Sequence, residues 1–467
     1  MSWDKNTIKI RNYDDLLKNG DAGARKRVLG LMDAVLEEMD AGRIIRSLMR
    51  LDGDLLTIGE KSWDLKTKKN IYLFGAGKAC NAMAQAVCEI LGERVTKGVV
   101  SVKITEPQDR YVNTDVYVGG HPLPNAEGLA AAEKMLSIID SASEDDLFIL
   151  LISGGSSALI TYPVSGITLE DEIAAQDILL KSGAKILEIN AVRRHISRTN
   201  GGRLAEGILQ KKAECVSLII SDSVNLPYPE NRKKPAQFFG TPAAPDKTTI
   251  NDARDTIKNY ALQDKLPKRV IDYFAENGGV RETPKSFNDK LTIFILGAVT
   301  DTCAAAARIA EKAQIPLMVL STFLEGESRE AGYILSSVIR EIRYFKRPVA
   351  PPCFVVCSGE TTTYIGAPPA GTGGPSHELA LAFSINIRGM DGVAGASIDT
   401  EGTDGTTFCA GGLADGKTYD RLNERGIDVY DALRRHSTGD AFKQIGDQIY
   451  TGNTGTNLCD FNVFYIS

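Results

Sequence analysis

Short apolar runs alternate with stretches of helical periodicity along the first half of the chain. Apolar residues recur at helical spacing over 22–50, and runs at 71–74, 98–104, 147–152 and 215–221 are apolar without alternation. Unalternating strands separated by helices are typical of a parallel sheet that is covered on both faces. The pattern therefore predicts an α/β fold with a parallel sheet.

The same rhythm restarts after a different kind of segment. Residues 225–250 are rich in proline and polar residues, which predicts a functional loop or a linker, and new strands are expected at 291–297 and 316–321. A chain of 467 residues also exceeds the usual size of one core. We predict two domains, 1–285 and 286–467, with the ligand-binding cleft between them.

Composition and charge exclude several classes of function. Hydrophobic residues make up 43% and charged residues 24%, as in ordinary globular proteins. The net charge of −6 leaves no excess of Lys and Arg to neutralise a phosphate backbone, so no nucleic-acid partner is expected. The polar start of the chain does not resemble a signal peptide, and no apolar run reaches the ~18 residues that span a bilayer. We expect a cytoplasmic enzyme without a membrane partner, and a homodimer as the commonest oligomer.

The eight cysteines are scattered and form no CxxC pair, and only four histidines are present. This predicts buried, reduced thiols and argues against a structural zinc site.

The first candidate for chemistry is the turn that joins the 71–74 strand to a helix. Gly75 and Gly77 allow the backbone to approach an anion, and Lys78 adds the charge that a helix end, at about 0.3–1 kcal/mol, does not supply. The turn is not a Walker loop, and Cys80 occupies the place of the third glycine in a dinucleotide fingerprint. An ordinary turn with a surface lysine remains the alternative.

Further polar glycine turns follow other strands. One comes directly after the 147–152 strand, where open α/β sheets bind ligands, and a second follows the apolar run 353–357. A third precedes the last strand. Their candidate phosphate- and substrate-binding residues are Ser153, Gly154, Gly155, Ser156, Ser358, Glu360 and Asn457.

Three arginines of the segment 190–208 can bind a carboxylate or phosphate in a bidentate manner, namely Arg193, Arg198 and Arg203. The alternative is an exposed basic helix face.

Asp222 directly follows the 215–221 strand and can hold Mg²⁺ or accept a proton from a hydroxyl. The alternative is an ordinary turn aspartate, which is common.

Asp404 lies in an acidic glycine loop that does not fit the calcium-loop pattern. A magnesium-linked role fits the loop better, and a solvated acidic turn is the alternative.

Glycine turns, a lysine, clustered arginines and acidic loops together favour phosphoryl transfer. That chemistry needs cations, N–H donors and metal-holding acids rather than a nucleophile.

The ordered motifs resemble those of the ATP-dependent glycerate 2-kinases of class II, the MOFRL type, some of which have been called hydroxypyruvate reductases. The resemblance extends from about residue 25 to the end of the chain. The motifs that carry it are GAGKACNAMAQAV, GGHPLPNAEG, LLISGGSSALI, LIISDS, SGETT, DTEGTDG and TGNTGTNLCD.

The resemblance implies two α/β domains, the first Rossmann-like, with the active site between them. It also implies transfer of the γ-phosphate of ATP to the 2-hydroxyl of D-glycerate, with Mg²⁺ as cofactor and a small hydroxy acid and a nucleotide as partners. The family's catalytic lysine corresponds to Lys78, and its aspartate after the LIISD strand corresponds to Asp222. We assign catalytic roles to these two and to Asp404, and metal binding to Asp222 and Asp404.

The chain departs from the family pattern in the loops expected to face the ligand. Pro375 stands where Gly-Gly-Arg-Asn-Gln-Glu-Leu has its arginine, and the segments beginning at Asn225 and Phe239 also differ. One hypothesis is therefore a kinase for another sugar acid or polyol. Two further alternatives are a nicotinamide-dependent hydroxypyruvate reductase and a non-catalytic ligand-binding homologue.

Overall fold

The computed structural model describes residues 9–107, 109–224, 242–275, 278–366 and 371–467. The segment around Asn225 and the residues 239–241, in which the sequence departs from the family, lie outside these ranges.

The chain divides into two compact units that alternate along the sequence. The mixed-sheet unit contains the described residues of Met1–Asp40, Ser221–Asn225 and Gly297–Ser467. The parallel-sheet unit contains those of Ala41–Ile220 and Leu226–Leu296. The domain ranges 1–285 and 286–467 and the cleft between the domains stay predictions.

Fifteen strands are formed by the described residues. They are β1 (Met49–Asp52), β2 (Leu55–Ile58), β3 (Lys61–Asp64), β4 (Asn70–Ala76), β5 (Lys97–Val102), β6 (Thr114–Val118), β7 (Asp146–Ile152), β8 (Glu214–Ser221), β9 (Leu291–Ala298), β10 (Leu317–Glu327), β11 (Cys353–Thr362), β12 (Val393–Asp399), β13 (Gly411–Asp415), β14 (Gln448–Ile449) and β15 (Asp460–Ile466).

The α-helices of the same ranges are α1 (Tyr13–Leu16), α2 (Ala22–Glu38), α3 (Ala41–Leu48), α4 (Cys80–Leu91), α5 (Ala126–Asp140), α6 (Ser156–Leu159), α7 (Leu169–Lys181), α8 (Ile186–His195), α9 (Arg203–Gln210), α10 (Ile250–Asn259), α11 (Lys268–Phe274), α12 (Val299–Lys312), α13 (Ser328–Phe345), α14 (Pro375–Asn386), α15 (Thr418–Glu424), α16 (Val429–Arg434) and α17 (Thr438–Ile445).

The parallel-sheet unit contains a six-stranded sheet in the order β6-β5-β4-β7-β8-β9, in which β6, β5, β4, β7 and β8 run parallel. Its central strands lack alternation because helices cover both faces, and Phe74 and Phe148 are buried in the core. The predicted α/β class with a mainly parallel first sheet is confirmed. Since the strands are parallel, β4 and β7 end side by side, with Ala76 opposite Ile152.

Helices α7, α8, α10 and α11 form a second core in this unit. Their buried residues include Leu179, Val192, Ile257 and Val270. This helical layer carries Arg193 on α8 and therefore decides how far that side chain is exposed.

The mixed-sheet unit contains a sheet in the order β10-β11-β15-β12-β13-β14. Only β10 and β11 pair in parallel, and β15, close to the end of the chain, is antiparallel to both of its neighbours. The hydrophobic core includes residues of α13 and α14, among them Ile339 and Phe383, whereas α2 contacts β12 and β15. Helices therefore accompany a mainly antiparallel sheet in this unit.

A buried arginine fixes α2 within the mixed-sheet unit. Arg25 is fully excluded from solvent, and its Nη1 and Nη2 donate to the two carboxylate oxygens of Asp447 at 2.7 and 2.9 Å. Its Nε donates to Asp415, and Nη1 also donates to the carbonyl of Leu16 at 3.0 Å. Burial opposes the charge, but the bonds to Asp447 and Asp415 raise the pKa of Arg25 above its usual value.

All eight cysteines are buried thiols, as the sequence predicts. None of the helices in the described ranges is both long and apolar enough to cross a bilayer.

Candidate functional site

Two of the predicted turns meet at the edge where β4 and β7 end. The amide of Ser153 donates to the carbonyl of Ala76 at 3.1 Å, and the amide of Lys78 donates to the carbonyl of Gly154 at 3.0 Å. The amide of Ala79 donates to Ser153 Oγ at 2.9 Å. The turns 75–79 and 153–157 thus form one structure, as expected for neighbouring parallel strands.

The first turn differs from the predicted anion cradle. Gly75 lies within β4, and the amide of Gly77 donates to the carbonyl of Ser101 at 3.2 Å. A Cβ on Gly77, which has φ +146°, would lie 2.1 Å from Ser153 Oγ. Glycine is therefore required for the close approach of the two turns. The expectation that the amides of this turn point toward an anion is wrong, because those of Gly77, Lys78 and Ala79 already donate within the protein.

The second turn retains unused amides. In the described part of the chain, the N–H groups of Gly154 and Gly155 have no acceptor. Successive backbone amides beside a glycine with φ +84° form the kind of concave surface that binds phosphate or carboxylate oxygens. Ser153 Oγ accepts the hydrogen bond from the amide of Ala79, and Ser156 is the first residue of the short helix α6.

The side chains of Lys78 and His121 converge on the second turn. A Cβ built on Gly155 would lie 3.2 Å from Lys78 Cγ and 3.1 Å from His121 Cδ2. His121 follows β6 at the same edge of the sheet. His121 was not among the predicted site residues, although it lies within the motif GGHPLPNAEG.

The replacement Gly155→Ala is expected to lower kcat/KM at least tenfold. A methyl group there would press on Lys78 and His121, and misplacement of catalytic groups by about 1 Å can cost about 10²-fold. Steady-state kinetics of phosphoryl transfer would measure the loss. Gly166→Ala is the matched control, since Gly166 has φ +91° and no atom lies within 4 Å of the place that its methyl group would take. Equal losses in both variants would attribute the effect to backbone strain alone.

The three predicted arginines have different surroundings. Arg198 is exposed, with its guanidinium 5.0 Å from the centre of the Tyr162 ring. Arg203 donates to the carbonyls of Ser197 and Arg281 at 3.1 and 2.6 Å, which indicates a structural role. Arg193 is partly buried and keeps most of its donors, because its one hydrogen bond with a described residue is a 3.3 Å contact with Asn190.

In the mixed-sheet unit, Asp222 and Asn457 are neighbours. Asn457 Nδ2 donates to Asp222 Oδ2 at 3.4 Å, and the thiol of Cys459 donates to the carbonyl of Asp222 at 3.0 Å. Burial raises the pKa of Cys459, and the charges of Glu360 and Asp222 raise it further. Both carboxylates therefore lie near the same thiol.

Ser358 and Asp460 are buried beside this acidic region. Ser358 Oγ donates to the carbonyl of Val299 at 3.2 Å, so the predicted ligand-binding hydroxyl is used in packing. Asp460 accepts bonds of 3.1 Å from both the amide and the hydroxyl of Thr361. Burial and the charges of Asp404 and Glu360 raise the pKa of Asp460 to about 8.

Asp404 is held by the N-terminus of α14. Its carboxylate accepts the amides of Ser376 and His377 at 3.1 and 2.9 Å and also bonds His377 Nδ1. This is favourable because amides at a helix start lack intrahelical acceptors. The metal and catalytic roles of Asp404 stay predictions, and they would require these groups to release the carboxylate.

The pair formed by His377 and Asp404 predicts a loss of stability at alkaline pH. Burial lowers the pKa of His377, but the bond and charge of Asp404 outweigh it and raise the pKa to about 9. The stabilisation is complete below about pH 6.5, the value of unfolded histidine, and is lost as the pH rises through about 9. Between pH 6.5 and pH 10, the free energy of unfolding of the wild type should fall by roughly 3 kcal/mol more than that of His377→Gln. Equal pH dependence in both proteins would contradict this assignment.

The residues present fit a magnesium ion only in part. No group of three or more His, Cys, Asp or Glu side chains in the described ranges is arranged to hold a metal. Mg²⁺ commonly uses one or two protein carboxylates and takes its other ligands from water and substrate phosphates. Asp222 and Glu360 are two carboxylates near Cys459 that could be such ligands, whereas the carboxylate of Asp404 already accepts hydrogen bonds from Ser376 and His377.

The residues that match known proteins extend over most of the chain. The profile of a family described as a domain of unknown function (DUF4147) matches residues 27–275, and that of the MOFRL family matches residues 353–460. A glycerate 2-kinase of Pyrococcus horikoshii is 37% identical over 92% of this chain and 94% of its own length. A D-glycerate 2-kinase of Thermotoga maritima is 34% identical over 84% of this chain and 89% of its own. The crystal structure of a glycerate kinase from Thermotoga maritima superimposes with a TM-score of 0.75 at 31% identity, covering 94% of this chain and 98% of that one.

Proposed function

This chain belongs to the family of MOFRL-type glycerate 2-kinases, and we propose that it transfers the γ-phosphate of ATP to the 2-hydroxyl of D-glycerate, giving 2-phosphoglycerate. It is accordingly a phosphotransferase with an alcohol group as acceptor. The observation that carries the proposal is that the Lys78 side chain lies against Gly155, in the turn whose Gly154 and Gly155 amides have no acceptor among the described residues.

In this proposal, Lys78 and the second turn stabilise the charge of the transferred phosphoryl group. Its negative charge is spread over three oxygens in a loose transition state, so catalysis depends on positioned cations and N–H donors. The Lys78 side chain supplies the cation, and the Gly154 and Gly155 amides supply donors whose positions are fixed by the bonds between the two turns.

Asp222 and Glu360 are the carboxylates that would hold Mg²⁺, which neutralises phosphate charge when bound. Asn457 supports this role by donating to Asp222, which orients the carboxylate. This assignment replaces the predicted pair of Asp222 and Asp404.

The acceptor is tested by a screen of the purified protein. ATP and Mg²⁺ are supplied with D-glycerate, other hydroxy acids, sugar acids and polyols, and ADP formation is measured together with the ³¹P spectrum of the product. Highest turnover of D-glycerate with phosphate on its 2-hydroxyl is expected. Higher turnover of another sugar acid or polyol would refute the proposed acceptor and support the alternative based on Pro375.

An NADH assay and a binding measurement separate the remaining alternatives. Oxidation of NADH with hydroxypyruvate would indicate the reductase, which Cys80 in the fingerprint position disfavours. Binding of ATP and acceptors without ADP formation would indicate a non-catalytic homologue.

A further inference from the structure

A histidine in the turn after β6 lies against the second turn of the site. The place that a Cβ of Gly155 would take is 3.4 Å from His121 Nε2, 3.1 Å from His121 Cδ2 and 3.2 Å from Lys78 Cγ. Because Nε2 and Cδ2 are neighbouring ring atoms, the edge of the imidazole that carries Nε2 faces Gly155. His121 is partly exposed, so the core does not enclose its ring. Nε2 is therefore directed at the same glycine as the Lys78 side chain.

The turn that carries His121 is fixed on both sides of this residue. Before it, the amide of Gly119 donates to the carbonyl of Val102 at 3.0 Å. After it, the carbonyl of Pro122 accepts a hydrogen bond from Nε2 of Gln176, a residue of α7 that is 3% exposed. Catalytic groups require such a supporting shell, because it holds them in the productive position. The backbone at His121 is thus preorganised.

The amides and the lysine at the second turn are hydrogen-bond donors. The Gly154 and Gly155 amides have no acceptor among the described residues, and Lys78 ends in an ammonium group. Histidine Nε2 is also a donor, both in the Nε2–H tautomer and in the imidazolium ion. A transferred phosphoryl group spreads its charge over three oxygens and is stabilised by donors of this kind. The position of Nε2 therefore suits a further donor to the same anion.

We propose that His121 is a further catalytic residue, which donates from Nε2 to an oxygen of the γ-phosphoryl group bound at the second turn beside Lys78. Gln176 is the positioning residue that holds it through the carbonyl of Pro122. The contact forms when ATP binds and persists through the transfer, and His121 neither gains nor loses a proton. This inference rests on the proposed phosphotransfer, since it names another group that acts on the same phosphoryl oxygens.

Three substitutions of His121 distinguish the nitrogen that donates. The side-chain amide of glutamine reaches the place of Nε2, whereas that of asparagine, one methylene shorter, reaches only the place of Nδ1. At saturating ATP and D-glycerate, His121→Phe and His121→Asn should lower the rate of ADP formation about 10²-fold, the effect of removing one fixed donor. His121→Gln should recover most of the rate. A full rate in His121→Phe, or equal losses in His121→Gln and His121→Asn, would overturn the proposal.

Thermal unfolding tests the phosphoryl contact without turnover. With Mg²⁺ and no acceptor, ATP should raise the unfolding temperature of the wild type more than ADP does, because only ATP has the γ-phosphoryl group. This excess should disappear in His121→Phe and persist in His121→Gln. If the excess is the same in the wild type and in His121→Phe, then His121 does not contact the γ-phosphoryl group.

The positioning role of Gln176 is tested through a double variant. Gln176→Met keeps the length of the side chain and removes its donor, so the rate of ADP formation should fall roughly tenfold through misplacement of His121. The KM for D-glycerate should stay unchanged. Adding Gln176→Met to His121→Phe should cause no further loss, because Gln176 acts only through His121. Multiplied losses in the double variant would refute the positioning role.

The inference and the proposed function fail in different ways. If the excess stabilisation by ATP depends on His121 but no ADP forms with any acceptor, the phosphoryl contact stands and the kinase proposal fails. If ADP forms with D-glycerate and His121→Phe keeps both the wild-type rate and the wild-type excess, the kinase stands and the role of His121 is refuted.

Discussion

Replacing Lys78 by methionine is expected to lower kcat by a factor of about 10²–10³, because loss of one fixed donor to the charge of a transition state has an effect of this size. The methionine retains the aliphatic contact with Gly155 and removes only the ammonium group. The rate of ADP formation with ATP and D-glycerate would measure the loss.

The control for Lys78 is Lys69→Met, an exposed lysine just before β4. It removes the same charge from the same unit, outside the two turns, and should keep the wild-type rate. If Lys78→Met also kept the full rate while folding normally, the catalytic role of Lys78 would be refuted.

Replacing Arg25 by methionine should lower the free energy of unfolding of the mixed-sheet unit by about 3–5 kcal/mol. This is the usual cost when removal of one partner leaves a buried charge uncompensated. Both Asp415 and Asp447 have fully buried side chains, and among the described residues the carboxylate of Asp447 would keep only its 2.6 Å contact with Arg421. For a unit of this size the unfolding temperature should fall by roughly 6–20 °C.

Arg27→Met provides the comparison for Arg25, since it removes a partly exposed arginine from the same helix. Only a small change in the free energy of unfolding is expected for Arg27→Met. The double variant Arg25→Met with Asp447→Asn should recover part of the loss, because it also removes one of the stranded charges. Failure of Arg25→Met to lower the unfolding temperature would show that the buried cluster contributes little.

The sequence predicted those features of the fold that depend on local patterns. Unalternating strands such as 147–152 indicated the parallel sheet. The pairing of β4 with β7, which brings the two turns together, is shown only by the structure. The expectation that the amides of the first turn are free to bind an anion failed for a reason outside any local pattern. The Ala79 amide is used by Ser153 Oγ, 74 residues further along the chain.

The same limit applies to the acids and arginines. Asp404 stands in an acidic glycine loop for which we predicted a magnesium-linked role, yet it is held by α14, which begins 29 residues earlier. Among three similar arginines, only the folded structure shows that Arg203 binds carbonyl groups and Arg193 does not.

The interleaving of the two units has a consequence for synthesis on the ribosome. Residues 41–220 of the parallel-sheet unit emerge in one continuous stretch, whereas Arg25 emerges early and meets Asp415 only 390 residues later. Domains generally fold as they are completed, at about 5–20 residues per second. Helix α2 should therefore wait unpaired for on the order of half a minute, with its apolar face and its future buried arginine accessible to chaperones until translation ends.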